Sequence, residues 1–175
     1  AVTARALAGL ALTAIAACGG DAGDAPIDGP GAIDAAACDP ATPWAPAPVV
    51  AAGPIQETAA VALGGKVYVL GGFNAALGVV AAVQVFDPAT CAWSVGPPLP
   101  RPVHHANAAV VGDAIYVVGA MEGLNFRAVG DVWTWRPGVD AAWTARTPMP
   151  AGTERGAAVV GVIADQIYVA GGLRG

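Results

Sequence analysis

The chain has 175 residues, of which 24 are glycine, 15 are proline and 55% are apolar. This apolar content excludes a disordered polar chain, because it provides enough surface to offset the entropy lost on ordering. The many glycines and prolines exclude a helical bundle, because both residues break helix interiors. The net charge is −5 and Lys66 is the one lysine, so the sequence lacks a basic face for nucleic acid. An all-β chain rich in turns remains.

Residues 1–17 have the pattern of an export signal. Arg5 precedes an uncharged run over 6–17, which is shorter than the roughly 20 apolar residues of a membrane span. The run leads into Ile15-Ala16-Ala17-Cys18, which resembles the bacterial lipobox. The resemblance implies a helical signal peptide, lipidation of Cys18 and an anchor in the bacterial cell envelope, on the outer membrane or a periplasm-facing membrane. An ordinary cleaved signal with a chance cysteine is the alternative.

Residues 18–38 form the next segment, which has many glycines and aspartates, two prolines and no aromatic residue. Such a composition is typical of a solvated tether, because it offers little apolar surface to bury. We therefore predict a flexible link between the signal and the folded part of the chain.

The rest of the chain, 39–175, is repetitive. Tyr68, Tyr116 and Tyr168 each stand in an apolar run that ends in Gly-Gly or Gly-Ala, 48 and 52 residues apart. Tryptophans recur in phase with them, and an Asp-Pro-Ala-Thr turn precedes two of these tryptophans. The tryptophans are Trp44, Trp93 and Trp143. Two markers that keep one period indicate a repeat architecture.

This pattern resembles the kelch repeat, whose members fold as β-propellers with one four-stranded blade per repeat. Ala120 departs from it, because it replaces the second glycine of the pair. The resemblance implies an incomplete propeller, with about two and a half blades over 39–175. Runs of β-branched and aromatic residues between turn residues predict the strands. These are 59–63, 66–71, 83–86, 91–95, 106–111, 114–119, 132–135, 141–145, 157–162 and 166–170, with any helix confined to the signal segment.

The strands carry three expectations about packing. The runs 59–63 and 108–111 are apolar without alternation, so both of their faces should be buried. The paired glycines should allow a close approach of a neighbouring backbone. Aromatic residues at a fixed phase should pack between blades rather than bind a ligand.

The connections alternate between two faces of the propeller. In a blade of four antiparallel strands, the first-to-second and third-to-fourth turns share one face, where the sequence has short turns. The other connections share the opposite face and are long, over 73–81, 96–104, 120–131 and 147–154. We call this the long-loop face and expect binding there, because loops on a rigid scaffold often carry function. The candidate ligand-binding residues are Asn74, His104, Glu122, Asn125, Phe126 and Arg127.

Catalytic chemistry is scarce in this sequence. His104 and His105 are adjacent, and neighbouring strand residues point to opposite faces, so we expect no shared metal unless the loop is irregular. Ser94 is the one serine and follows a packing tryptophan, which argues against a nucleophilic triad. We predict no catalytic residue, metal or cofactor here. Cys38 and Cys91 could form a disulfide in an exported protein, or stay free or pair elsewhere.

Two classes of function remain. The first is an exported, lipid-anchored and non-catalytic module that binds a protein or a glycan, with no nucleic-acid partner. The second is a carbohydrate-active propeller enzyme, galactose-oxidase-like or sialic-acid-mutarotase-like, whose catalytic residues lie outside this chain. Fold alone does not decide between them.

Overall fold

The structure is a computed structural model that describes residue 38, residues 45–50 and residues 52–174. The predicted signal peptide, the lipidation site Cys18 and most of the predicted tether lie outside the described residues. Within the described part of the chain all regular structure is β, and no helix there is long and apolar enough to cross a membrane. The strands are β1 (Ile55–Gln56), β2 (Ala59–Leu63), β3 (Lys66–Leu70), β4 (Phe73–Asn74), β5 (Val83–Asp87), β6 (Ala92–Val95), β7 (Ala108–Val111), β8 (Ala114–Glu122), β9 (Arg127–Trp135), β10 (Thr144–Arg146), β11 (Val159–Ile163) and β12 (Gln166–Ala170).

The strands form successive antiparallel blades. One four-stranded sheet has the order β2-β3-β5-β6, a second has the order β7-β8-β9-β10, and β11 pairs with β12. We call these blades I, II and III. The inner strands β2, β7 and β11 contact each other in that order. The all-β propeller architecture is thereby confirmed, and each predicted strand overlaps an observed one.

Blade II differs from the prediction in its central hairpin. The segment 120–131 was expected to be a long loop, but β8 continues to Glu122 and β9 begins at Arg127, so the connection is the short turn 123–126. The ladder continues past an irregularity between Val118 and Ala120 and pairs Glu122 with Arg127. The two short strands β1 and β4, which pair with each other, were not predicted. Each of these strands has two residues, which is too short for an alternating apolar pattern to be recognised in the sequence.

The expectation that both faces of the first inner strand are buried is wrong for β2. Ala60 and Ala62 are exposed, whereas every residue of β7 is buried or half-buried. The reason is position, because β7 lies between β2 and β11 and therefore has a neighbour on each side.

Aromatic residues connect the blades, as predicted. Tyr68 of blade I is buried and meets Trp135 of blade II edge to face, with ring centroids 5.7 Å apart. The repeat tryptophans of blades I and II also donate their ring N–H groups to carbonyls of the preceding proline-rich segments. Trp93 Nε1 donates to the Pro48 carbonyl at 2.8 Å, and Trp143 Nε1 donates to the Pro97 carbonyl at 3.0 Å. Tyr68, Trp93 and Trp143 are thus packing residues, whereas Tyr168 is exposed and Trp44 lies outside the described residues.

The glycine pairs permit close contact between blades, as predicted. Gly71 has a φ of +61°, and a Cβ added there would overlap the carbonyl oxygen of Val103 in the segment leading into blade II. The next N–H, of Gly72, donates to that same carbonyl at 2.8 Å. Gly119 repeats the arrangement, because a Cβ there would lie 2.6 Å from the Arg155 carbonyl oxygen. Only glycine allows both the left-handed backbone and this close approach, which leaves no room for a Cβ.

A disulfide joins Cys38 to Cys91, which lies immediately before the outer strand β6. Their Cα atoms are 5.8 Å apart and their sequence separation is 53 residues. The pairing selects one of the alternatives that the sequence left open. It fastens the segment before blade I to the outer edge of that blade.

Candidate functional site

A repeated backbone feature organises the long-loop face. Glu57, His105 and Ala157 stand just before the three inner strands, and all have left-handed backbones with φ of 56°, 49° and 53°. The N–H of His105 donates to the Glu57 carbonyl at 2.9 Å, and the N–H of Ala157 donates to the His105 carbonyl at 2.8 Å. Each blade is therefore linked to the preceding one at an equivalent residue, and these residues meet at the inner end of the long-loop face.

The left-handed turn at His105 brings two histidines together. Neighbouring residues of a regular strand point to opposite faces, and on that basis we expected His104 and His105 to share no metal unless the loop is irregular. The structure instead holds their Nδ1 atoms 2.6 Å apart. His104 is fully buried, whereas the His105 side chain is 18% exposed and its Nε2 lies 2.8 Å from Glu57 Oε2. The irregular loop accounts for the difference.

The hydrogen bonds define where the protons lie. His104 Nε2 lies 2.9 Å from the Gly123 carbonyl, which can only accept, so this nitrogen donates. A neutral His104 then accepts at Nδ1, and His105 must donate from its own Nδ1. Burial is the largest cause that lowers the pKa of His104, which favours this neutral form. His105 Nε2 faces the Glu57 carboxylate at 2.8 Å, so the chain of contacts joins blades I and II.

A pocket of about 240 Å³ opens beside this chain of contacts. Its walls come from β1 and the residue after it, from β4 and the loop that follows in blade I, and from the 123–126 turn of blade II, and it is mostly apolar. Phe126 lies against Phe73, with ring centroids 6.2 Å apart, and against His104, at 4.8 Å. Leu77, Leu124 and Phe126 are exposed. We call this pocket the inter-loop pocket, and its lining residues are Gln56, Glu57, Phe73, Leu77, Leu124 and Phe126.

The predicted site residues divide between three places. His104 and Phe126 are in contact beside the inter-loop pocket. Asn74 has a structural role, because its Oδ1 accepts the N–H groups of Ala76 at 3.0 Å and Gly78 at 2.9 Å and so shapes the first loop. Asn125 is exposed in the tight turn of the second loop.

Glu122 and Arg127 form an ion pair across the end of the β8–β9 hairpin, and Arg101 approaches the same carboxylate at 2.9 Å. Arg127 lines a second, more polar pocket of about 370 Å³ with Glu154 and Arg174. The six candidate residues of the long-loop face therefore lie at different places on it, and their role in binding stays a prediction. In the described part of the chain, no group of three or more His, Cys, Asp and Glu side chains could hold a metal ion.

Several lining residues of the inter-loop pocket were missed from the sequence. Leu77 and Leu124 looked like ordinary loop residues, and Phe73 was placed in a loop without a role. Glu57 and His105 stand 48 residues apart, which is the spacing of Tyr68 and Tyr116. That shared phase is the signal that could have placed Glu57 next to His105.

Comparisons with known proteins agree with this geometry. Residues 56–100 match the family model described as the Kelch motif. The chain is 35% identical over 127 residues to Kelch-like protein terF of Aspergillus terreus, covering 69% of this chain and 28% of that protein. It is 34% identical over 115 residues to Kelch-like protein 35 of Mus musculus, covering 65% of this chain and 19% of that protein. The chain thus spans less than a third of the length of either relative.

A solved structure supports the fold. The structure of YjhT matches with a TM-score of 0.61 and 21% sequence identity, covering 73% of this chain and 37% of that chain. At this identity the likeness concerns the fold alone. Together with the motif match and the blades described above, it shows that the chain has kelch repeats and the β-propeller fold.

Proposed function

We propose that these kelch-type propeller blades act as a non-catalytic binding module, exported and lipid-anchored at Cys18, whose long-loop face binds a protein partner. A glycan is the other partner class that the sequence suggested. The observation that carries the choice of a protein is the inter-loop pocket, since its wall is largely leucine and phenylalanine. Apolar surface of this kind favours side chains over the hydroxyl-rich surface of a sugar.

The exposure of the loop tips supports this proposal. Leu124 is 70% exposed, Leu77 is 56% exposed and Phe126 is 41% exposed. Three large apolar side chains around one pocket form a contiguous patch, and such patches mark binding sites on soluble proteins. Aromatic residues at the centre of a patch are also frequent hot spots of protein interfaces.

Export is supported by the Cys38–Cys91 disulfide. Disulfides persist in oxidising compartments and are rare in the cytosol. An acylated Cys18 followed by a tether would hold the blades near a membrane, where two or more acyl chains anchor a protein stably and one chain is marginal.

The binding proposal is tested with a photo-crosslinking amino acid at one of two positions. One replaces Asn125, which is exposed in the 123–126 turn, and the other replaces Asp113 in a short turn on the opposite face. In cells, the group at residue 125 should form a discrete adduct with a protein, and the group at residue 113 should not. Adducts at residue 113 alone would place the interface on the wrong face.

The adduct is then measured in matched double variants. Leu124→Ala with Phe126→Ala should reduce its yield at least about fivefold, as expected for hot-spot side chains. Asp113→Ala with Asp165→Ala serves as the control on the short-turn face and should leave the yield unchanged. An equal yield in both double variants would contradict the proposed surface.

Lipidation has its own test. A radioactive fatty acid should label the wild-type protein and leave Cys18→Ala unlabelled. Equal labelling of both would refute an anchor at Cys18 and would leave the binding proposal standing.

An enzymatic role is the second candidate, and one observation favours it. Glu57 Oε2 and His105 Nε2 lie 2.8 Å apart beside the inter-loop pocket, and a carboxylate–histidine pair can act as a general acid and base. A sialic-acid-mutarotase-like activity breaks the ring C–O bond of the sugar and closes it again, and the catalyst supplies the proton transfers to and from oxygen. The full-length protein should then speed the interconversion of sugar anomers, and the variant His105→Gln should lose that activity. An unchanged rate in the presence of wild-type protein would exclude this role.

A further inference from the structure

Glu57 is the one carboxylate among the lining residues of the inter-loop pocket. Its side chain is 48% exposed and lines the pocket with the amide of Gln56. The contact with His105 uses one carboxylate oxygen, Oε2. A carboxylate has two oxygens with about four acceptor positions. The second oxygen of Glu57 can therefore receive a donor from a ligand without breaking the link between blades I and II.

The walls of the pocket suit the rest of such a ligand. Phe126 is exposed and lies beside the buried Phe73, with ring centroids 6.2 Å apart, and the exposed Leu77 and Leu124 extend the apolar surface. An aromatic face attracts a cation near its centre. An apolar pocket with one carboxylate in its lining matches a side chain with a methylene stem and a charged head.

From this arrangement we infer that the inter-loop pocket receives a basic side chain, lysine or arginine, from an extended segment of the protein partner. The stem lies along Leu77, Leu124 and Phe126, and the charged head meets Glu57 and the phenyl rings. This inference rests on the proposed function, because it names the chemistry by which that surface recognises its partner.

The second pocket has the opposite character and serves as a built-in comparison. Arg127 and Arg174 line it with a single carboxylate, Glu154. Two guanidinium groups repel a basic side chain, so a lysine-containing peptide should select the inter-loop pocket. The variant Glu154→Gln therefore removes a carboxylate from the same face without altering the proposed site.

The test measures the affinity of the full-length protein for three labelled peptides by fluorescence anisotropy. The first is Ac-Ala-Leu-Lys-Leu-Ala-NH₂, and the other two have norleucine or glutamate in place of the lysine. Norleucine keeps the stem and removes the charge. The lysine peptide should bind about tenfold more tightly than the norleucine peptide, which corresponds to one charge-assisted hydrogen bond. The glutamate peptide should bind most weakly.

Variants then locate the recognition. Glu57→Gln should abolish the preference for lysine over norleucine while leaving the norleucine affinity unchanged, which also shows that the site is still folded. Phe126→Leu keeps an apolar wall without an aromatic face, so it should weaken only the lysine peptide, by about threefold. Glu154→Gln should bind all three peptides as the wild type does.

Two results would overturn the inference. In the first, the lysine and norleucine peptides bind equally and Phe126→Ala binds neither. This would show an apolar pocket without charge recognition, and the proposed protein-binding function would survive. Binding of oligosaccharides with no binding of any peptide would overturn both this inference and the choice of a protein partner.

Discussion

The disulfide between Cys38 and Cys91 should contribute substantially to the stability of the folded chain. The perturbation is its removal, by reduction or by the double variant Cys38→Ser with Cys91→Ser. The bridge closes a loop with a sequence separation of 53 residues. The loss of chain entropy in the unfolded state for a loop of this length corresponds to about 4 kcal/mol. The bridge should therefore raise the unfolding free energy by up to that amount.

The assay is urea denaturation of the full-length protein, with and without reductant, followed by tryptophan fluorescence. Trp93 lies close to the bridge and hydrogen-bonds to Pro48 in the segment that the disulfide fastens, so its emission reports on this region. In a separate thermal scan, the melting temperature of the double variant should lie about 10 °C below that of the wild type. Reductant should shift the wild type to the same midpoint and should not shift the double variant.

A change below about 1 kcal/mol would refute the reasoning. It would mean that the segment before blade I detaches locally, with no constraint on the unfolding of the blades. The single variants Cys38→Ser and Cys91→Ser distinguish a constraint from a side-chain effect. Each should cost as much as the double variant, because either one breaks the same bond.

Three further outcomes are expected. Burial lowers the pKa of His104 below the roughly 6.5 of an unfolded histidine, so the unfolded state binds more protons. The unfolding free energy should therefore fall as pH drops below about 6.5. The variant His104→Gln should flatten that part of a pH–stability profile, and an unchanged slope would contradict the assignment. Trp143→Phe removes the hydrogen bond to the Pro97 carbonyl and should cost about 1 kcal/mol or more in urea denaturation, because the carbonyl is left without its donor; no loss would mean that water replaces it. Gly71→Ala should lower the unfolding free energy by at least about 2 kcal/mol, because Gly71 has a left-handed backbone and also touches the segment leading into blade II. Gly65→Ala is the control, because Gly65 has a φ of +76° but open space around it, and it should lower the unfolding free energy clearly less in the same assay.

The repeat could be predicted in detail from local pattern. The run 166–170 was predicted with the bounds that the structure shows for β12, and 59–63 with those of β2. Strands of this kind are specified by short runs of β-branched and aromatic residues between turns. The glycine pair at 71–72 and the aromatic packing of Tyr68 followed for the same reason, since both recur at the period of the blade.

The candidate site was predicted only in part. His104 and Phe126 were named and lie together, whereas Arg127 faces another pocket and Asn74 supports its own loop. Glu57 was not considered, because a single carboxylate near a strand start carries no local signal. Loop residues acquire a role from the neighbours that the fold gives them, and those neighbours lie in another blade.

The amino-acid sequence by itself determined the β architecture, the phase of the blades and the glycines at which their backbones touch. Tertiary structure alone decided which cysteines pair, how two adjacent histidines converge and which loops enclose a pocket. The physical reason is the range of the contacts involved. The left-handed backbone at His105 is bonded on one side to Glu57 and on the other to Ala157, 48 and 52 residues away. No local preference specifies such a bond, and it forms only when three blades are packed side by side.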